Sequence, residues 1–217
     1  MQFIFEQVRT GGDRNFGYLI GDRQAGVGVL VDPAYAPGEM VERARAQGLR
    51  ITHILNTHGH ADHSGGNAEA KARTGALVAA YAGSPLRPDA PLKDGDRLKV
   101  GGYKLRVWHV PGHSEDHLAF LIEDKGAGLT GDHLFVGKIG GTSTERQART
   151  EWDSLQRLLR DWPDALTIWP GHDYGARPAS TIAWEKETNP FLLCRDFQAF
   201  RRLKEEWPEF KVKHGLR

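Results

Sequence analysis

Short apolar stretches bounded by turn residues open the chain: Gln2 to Val8, Phe16 to Gly21 and Val27 to Val31, separated by Gly11-Gly12-Asp13 and Gly21-Asp22. They predict three strands in a meander. After Asp32-Pro33 the spacing becomes helical, with Ala36, Met40, Val41 and Ala44 on one face and Gly48 as the stop. Ile51 to Asn56 reads as a buried strand that runs straight into Thr57-His58-Gly59-His60. Ser64 is placed to cap a helix through about Arg73, Ala76 to Ala80 reads as another short strand, and the stretch around Pro85, Pro88 and Pro91 reads as loop.

The second half echoes the first. Arg97 to Val100, Tyr103 to His109, His117 to Ile122 and Gly128 to Gly131 predict strands separated by glycine-containing turns. Trp152, Leu155, Leu158, Leu159 and Trp162 form a helical stripe, and Leu166 to Trp169 reads as a strand ending at Pro170-Gly171-His172. Two further helical patterns lie near Ser180 to Glu187 and Asp196 to Trp207, with Pro190 between them. Two rounds of strands and helices without a linker imply an α/β fold of two packed sheets covered by helices.

Composition narrows this picture without changing it. A chain of 217 residues suffices for one well-buried domain. Its 39% hydrophobic and 26% charged residues, with a mean hydropathy of -0.52, are those of ordinary globular proteins. A net charge of +1 provides no field to hold a polyanion, so no nucleic-acid partner is expected. Cys194 is the only cysteine, which excludes an intrachain disulfide and fits a reducing compartment. No apolar run approaches the roughly 20 residues that span a bilayer, and no basic segment followed by a long apolar stretch opens the chain. The expectation is a cytoplasmic protein with no membrane partner.

The chemistry concentrates in Thr57-His58-Gly59-His60-Ala61-Asp62-His63, where three imidazoles and a carboxylate follow an apolar strand. Four such groups in one short loop would crowd and desolvate one another unless a cation organised them. Neutral imidazole and ionised carboxylate are donors for Zn²⁺ and similar divalent ions. Further donors are expected where later strands return to the same edge. His113, Asp132 and His172 each follow an apolar stretch and a glycine.

This pattern resembles the metallo-β-lactamase superfamily, whose His-x-His-x-Asp-His loop is matched at His58, His60, Asp62 and His63, with the later ligands falling in order on His113, Asp132 and His172. The resemblance covers about residues 1–176. It implies a metallo-β-lactamase αββα four-layer sandwich, with residues 177–217 as a short helical C-terminal extension packed on it. It also implies two divalent metal ions, Zn first and Fe or Mn as alternatives, with His58, His60 and His113 on one, Asp62, His63 and His172 on the other and Asp132 bridging. Two cations sharing a water supply a hydroxide nucleophile without an activated serine or cysteine. No Gly-x-Ser-x-Gly motif is present. Asp62 is the expected catalytic carboxylate, orienting the hydroxide or carrying a proton.

Within the superfamily the chain is most similar to the glyoxalase II (hydroxyacylglutathione hydrolase) group. Gly171-His172-Asp173-Tyr174, Thr188-Asn189-Pro190-Phe191-Leu192 and Phe200-Arg201-Arg202-Leu203-Lys204 resemble segments with which that group builds its thiol site. The implied substrate is a small-molecule thioester such as a glutathione conjugate, contacted by Tyr174, Lys138, Arg201 and Lys204. Arginine can grip a carboxylate as a fork and lysine as a point charge. The segment His133 to Gly141 departs from the group's Gly-Cys-Gly-Lys-Phe-Tyr pattern, and the helical insertion after the tyrosine is absent. The alternatives are a mononuclear iron persulfide dioxygenase of the same fold, with His58, His113 and Asp132 on the iron, and a lactone or ester hydrolase. A non-catalytic module is disfavoured because all seven ligand positions are intact. His53, His109, His117, His133 and His214 are read as packing, solvated or supporting side chains, His133 being the first to test.

Overall fold

A computed structural model describes residues 2–215. The first sheet contains β1 (Phe3–Gly11), β2 (Asn15–Asp22), β3 (Val27–Val31), β4 (Arg50–Leu55), β5 (Leu77–Tyr81) and β6 (Ala90–Leu92), hydrogen-bonded in that order. Its first three strands are antiparallel, and β3 to β6 run parallel. The second sheet has β7 (Arg97–Val100), β8 (Tyr103–His109), β9 (Leu118–Ile122), β10 (Ala127–Gly131), β13 (Thr167–Pro170) and β14 (Ser180–Thr181), with β10 and β13 parallel. A two-stranded ribbon, β11 (Leu134–Phe135) with β12 (Lys138–Ile139), follows β10.

Alternation along the strands builds the layers, because successive side chains leave opposite faces of a sheet. Tyr18, Ile20, Val29 and Val31 point inward to meet Val107, Phe120 and Leu129 of the second sheet. Leu19 and Leu30 point outward, onto Met40, Val41 and Ala44 of α1 (Pro37–Ala46) and Ala70 of α3 (Asn67–Thr74). On the opposite outer face, Trp108, Ala119 and Ile168 meet Leu155 and Leu158 of α4 (Glu145–Asp161), Ile182 of α5 (Ile182–Thr188), and Phe197 and Phe200 of α6 (Phe197–Glu205). The result is an αββα sandwich with helices α5, α6 and α7 (Trp207–His214) at its C-terminal end. Among the described residues no helix is long and apolar enough to cross a membrane.

Several elements differ from the sequence expectation for identifiable reasons. Ser64 does not cap a helix: it ends a short turn, α2 (Ala61–Ser64), and its Oγ donates to the Gly59 and His60 carbonyls. Gly65-Gly66 then separates α2 from α3. The proline stretch ends in a strand, β6, whose Pro91 is tolerated because β6 lies at the sheet edge. Helix α4 starts well before Trp152, fixed by a capping box between Thr144 and Gln147. The face running to Trp207 is split, since a new helix with a proline in its first turn begins at Trp207.

Candidate metal centre

Strand direction collects the donors. β3 and β4 run parallel, as do β10 and β13, so Asp32, the His58–His63 loop, Asp132 and His172 all emerge beyond carboxyl ends at one rim. β8 points the same way as β10, because β9 is antiparallel to both, and delivers His113. All seven predicted ligands meet there. His58, His60 and His113 form one set of three donors, Asp62, His63 and His172 a second, and His58, His63 and Asp132 a third, with the ligand atoms of each set within 4.8 Å of one another.

Asp132 lies between the first two sets: Oδ1 is 3.3 Å from His63 Nε2, and Oδ2 is 3.3 Å from His172 Nε2 and 3.7 Å from His113 Nε2. Its Oδ1 is buried without a hydrogen bond. Four of the rings are turned inward by bonds on their outer nitrogen. Nδ1 of His63 is 3.0 Å from Asp32 Oδ2, and Nδ1 of His113 and of His172 each lie 2.8 Å from a backbone carbonyl, of Gly141 and Asp13. His58 Nδ1 meets Thr57 Oγ1 at 3.1 Å, and that hydroxyl donates to Asp32. Each ring thus uses its Nδ1–H outward and aims the Nε2 lone pair at the centre, as metal-binding histidines do.

The inner nitrogens then face each other. His63 Nε2 and His172 Nε2 are 3.2 Å apart, and His60 Nδ1 lies 2.9 Å from His58 Nε2 and 3.2 Å from His113 Nε2. One proton on His60 can satisfy only one of its two neighbours, whereas a cation satisfies all three. Electrostatics agree. His172 holds the Asp62 carboxyl well below the usual range, and although burial opposes it, His63 and His172 hold Asp132 down as well. Burial also opposes charge on His63 and His172, yet the surrounding carboxylates raise His63 and push His172 up to about 9. Burial and neighbouring imidazoles lower His58. Two ionised carboxylates among five imidazoles make a site that calls for positive charge, and the donor set fits divalent metal ions.

The supporting residues were less legible. Asp32 is buried at the end of β3 and accepts from the Thr57 amide at 2.9 Å and its hydroxyl at 2.6 Å, so it fixes the start of the histidine loop as well as His63. On the residue pattern alone Asp32 is only the point after which helical spacing begins; a lone carboxylate directly after a buried strand was the available signal. Asn15 was missed altogether. It is fully buried, and its Nδ2 donates to the Asp62 backbone oxygen at 3.0 Å and to Oδ2 at 3.1 Å. Asn15→Ala is expected to slow turnover about tenfold by releasing Asp62; metal content and kcat measured together check this, and an unchanged rate would remove Asn15 from the machinery.

His117 is buried behind the centre, stacked on His58, and its Nε2 accepts the Asp132 amide at 3.0 Å. His133 is buried with no hydrogen bond to either ring nitrogen, and burial pushes its pKa down to about 3. His109 stacks on Tyr81, His214 on Phe210, and His53 meets Thr52, all away from the centre. Of the expected substrate contacts, Tyr174 stacks on His172, and Lys138 Nζ lies 4.2 Å over the Tyr174 ring, beside a cleft of about 450 Å³. Lys204 and Arg201 are engaged within the protein. Lys204 pairs with Glu151 and the Gly140 carbonyl, and Arg201 with Glu145 and Glu205.

An αββα sandwich with a His/Asp cluster at one rim defines a divalent-metal enzyme. The sequence profile of the metallo-β-lactamase superfamily matches residues 10–84. A hydroxyacylglutathione hydrolase of Methylococcus capsulatus is 37% identical over 93% of this chain and 87% of its own length. The mitochondrial persulfide dioxygenase ETHE1 of Homo sapiens is 30% identical over 89% of this chain and 77% of its own length. The crystal structure of ETHE1 from Myxococcus xanthus superimposes with a TM-score of 0.85 at 32% identity, covering 94% of this chain and 91% of that one. The chain belongs to the metallo-β-lactamase superfamily, within the hydroxyacylglutathione hydrolase (glyoxalase II) group, and is a metal-dependent hydrolase.

Proposed function

We propose that the protein hydrolyses thioesters of the S-acylglutathione type at a centre holding two divalent ions, with Zn²⁺ first and Fe or Mn accepted by the same donors. The carrying observation is the presence of two three-donor sets, His58, His60, His113 and Asp62, His63, His172, with Asp132 reaching both. Ions held there supply Lewis acidity for the thioester carbonyl and a water of near-neutral pKa. His60 is exposed, so the acyl group approaches from its side. Asp62 is partly exposed, ionised and steered by Asn15, so it is placed to orient the attacking water as a hydrogen-bond acceptor.

The thiol half runs into the cleft between Tyr174, Trp184 and Trp207. Lys138 lines it, and its cation rests on Phe135 and Tyr174, where it can take a substrate carboxylate. Residues 1–176 carry the centre, and the segment 177–217 contributes Trp184 and Trp207 to the cleft wall. The lone Cys194 goes with a cytoplasmic setting.

The likeness to persulfide dioxygenases favours one rival, a single iron on His58, His113 and Asp132. S-lactoylglutathione turnover by protein holding two metal equivalents, measured under anaerobic conditions, decides between them. Hydrolysis without oxygen is the expected result. Oxygen uptake on glutathione persulfide by a one-iron protein, with no thioester cleavage, would overturn the proposal.

A further inference from the structure

Glu151 of α4 is fully buried, and Lys204 of α6 meets its Oε2 at 2.6 Å with a side chain only 11% exposed. A buried ion pair adds little net stability, because desolvating both charges offsets their attraction. Its surroundings suggest another role. The same Lys204 Nζ donates to the Gly140 carbonyl at 2.8 Å, and the next carbonyl, Gly141, accepts from His113 Nδ1 at 2.8 Å. Gly140 is pressed against the centre, since a Cβ there would stand 2.1 Å from the Asp132 carbonyl and 3.0 Å from His113 Cβ. On the other side of His113, Gly112 packs so closely on α4 that a Cβ would fall 2.3 Å from Glu151 Cβ.

We propose that the Lys204–Glu151 pair is a positioning device for His113: Glu151 backs Gly112, Lys204 clamps Gly140, and the Gly141 carbonyl held between them fixes the direction of the imidazole. The inference rests on reading His113 as a metal ligand. It assigns Lys204 to the metal centre, not to substrate, and makes α6 part of that centre. Lys204 and Glu151 touch neither metal nor substrate and act through the glycine strap.

The test reads Zn²⁺ affinity by chelator competition, together with the visible spectrum of Co²⁺-loaded protein, and needs no substrate. Lys204→Met is expected to weaken one of the two bound ions about 10–100-fold and to alter the Co²⁺ bands, the range typical of losing an outer partner of a ligand. It also leaves the buried Glu151 carboxyl without its partner, so thermal stability falls. Lys204→Met combined with Glu151→Leu removes that unpartnered group and is expected to recover the melting temperature without recovering the affinity.

Recovery of both would make the pair merely structural, and wild-type affinity in folded Lys204→Met would also overturn the proposal. If Lys204→Met does not fold, the double variant alone decides. His113→Ala separates the two failures. Should it leave Zn²⁺ stoichiometry unchanged, the ligand reading falls and the positioning role with it; should it lose an ion while the Lys204 variants do not, only the positioning role falls.

Discussion

Stripping the protein of metal with a chelator is expected to lower thioester hydrolysis by about a thousandfold or more, with recovery when Zn²⁺ is returned. The magnitude follows from what the protein offers without the ions. Cys194, the only thiol, is bonded to the Pro190 carbonyl, and burial raises its pKa, which disfavours the thiolate. The imidazoles that could act as bases are committed: four are tied by Nδ1 to outer partners, and their inner nitrogens confront one another. Stability should move in the same direction. Ions that bind only the folded state contribute about 2.7 kcal/mol at a free concentration a hundred times Kd. The measurement is rate and melting temperature of the same preparation before chelation, after it, and after reloading. A metal-free protein at full rate would remove the metal centre from the chemistry.

The clustered donors were legible because metal chemistry leaves few residue types to choose from and the later strands repeat one device, a strand, then glycine, then a donor. His58 to His63, His113, Asp132 and His172 each fall at a strand's carboxyl end on the residue pattern alone. The layers were legible for a similar reason, since Leu19 and Leu30 alternate with Tyr18, Ile20, Val29 and Val31, and alternation marks a sheet covered on both faces. Long-range partners were not legible. Asn15 and Asp62 are 47 positions apart, and nothing local in Asp13-Arg14-Asn15 reports that the turn will fold over the centre. Lys204 is a second case. Its place in a basic helical segment gives a substrate contact as the expectation, and nothing local reports that packing against α4 turns it to Glu151, 53 positions away. Strands of two residues, β11, β12 and β14, carry too few positions for any period to show.

The glycine before His172 exemplifies a requirement that the sequence displays without explaining. Gly171→Ala is expected to weaken metal binding about a hundredfold and to destabilise the protein by about 1–3 kcal/mol, the usual cost of overpacking. A methyl there would stand 2.4 Å from Asp132 Oδ1 and 2.8 Å from His63 Cε1. Neither neighbour can retreat: Asp132 is buried with its amide on His117, and the His63 ring is buried with Nδ1 on Asp32. Nor can the backbone give way, because the Gly171 amide donates to the Gly131 carbonyl at 2.8 Å while its carbonyl accepts from the Phe16 amide at 2.8 Å. The strain must therefore fall on the two side chains through which the donor sets meet. Metal stoichiometry and melting temperature of Gly171→Ala check this. Full occupancy with an unchanged melt would mean that the rim holding Asp132 and His63 yields more readily than its hydrogen bonds imply.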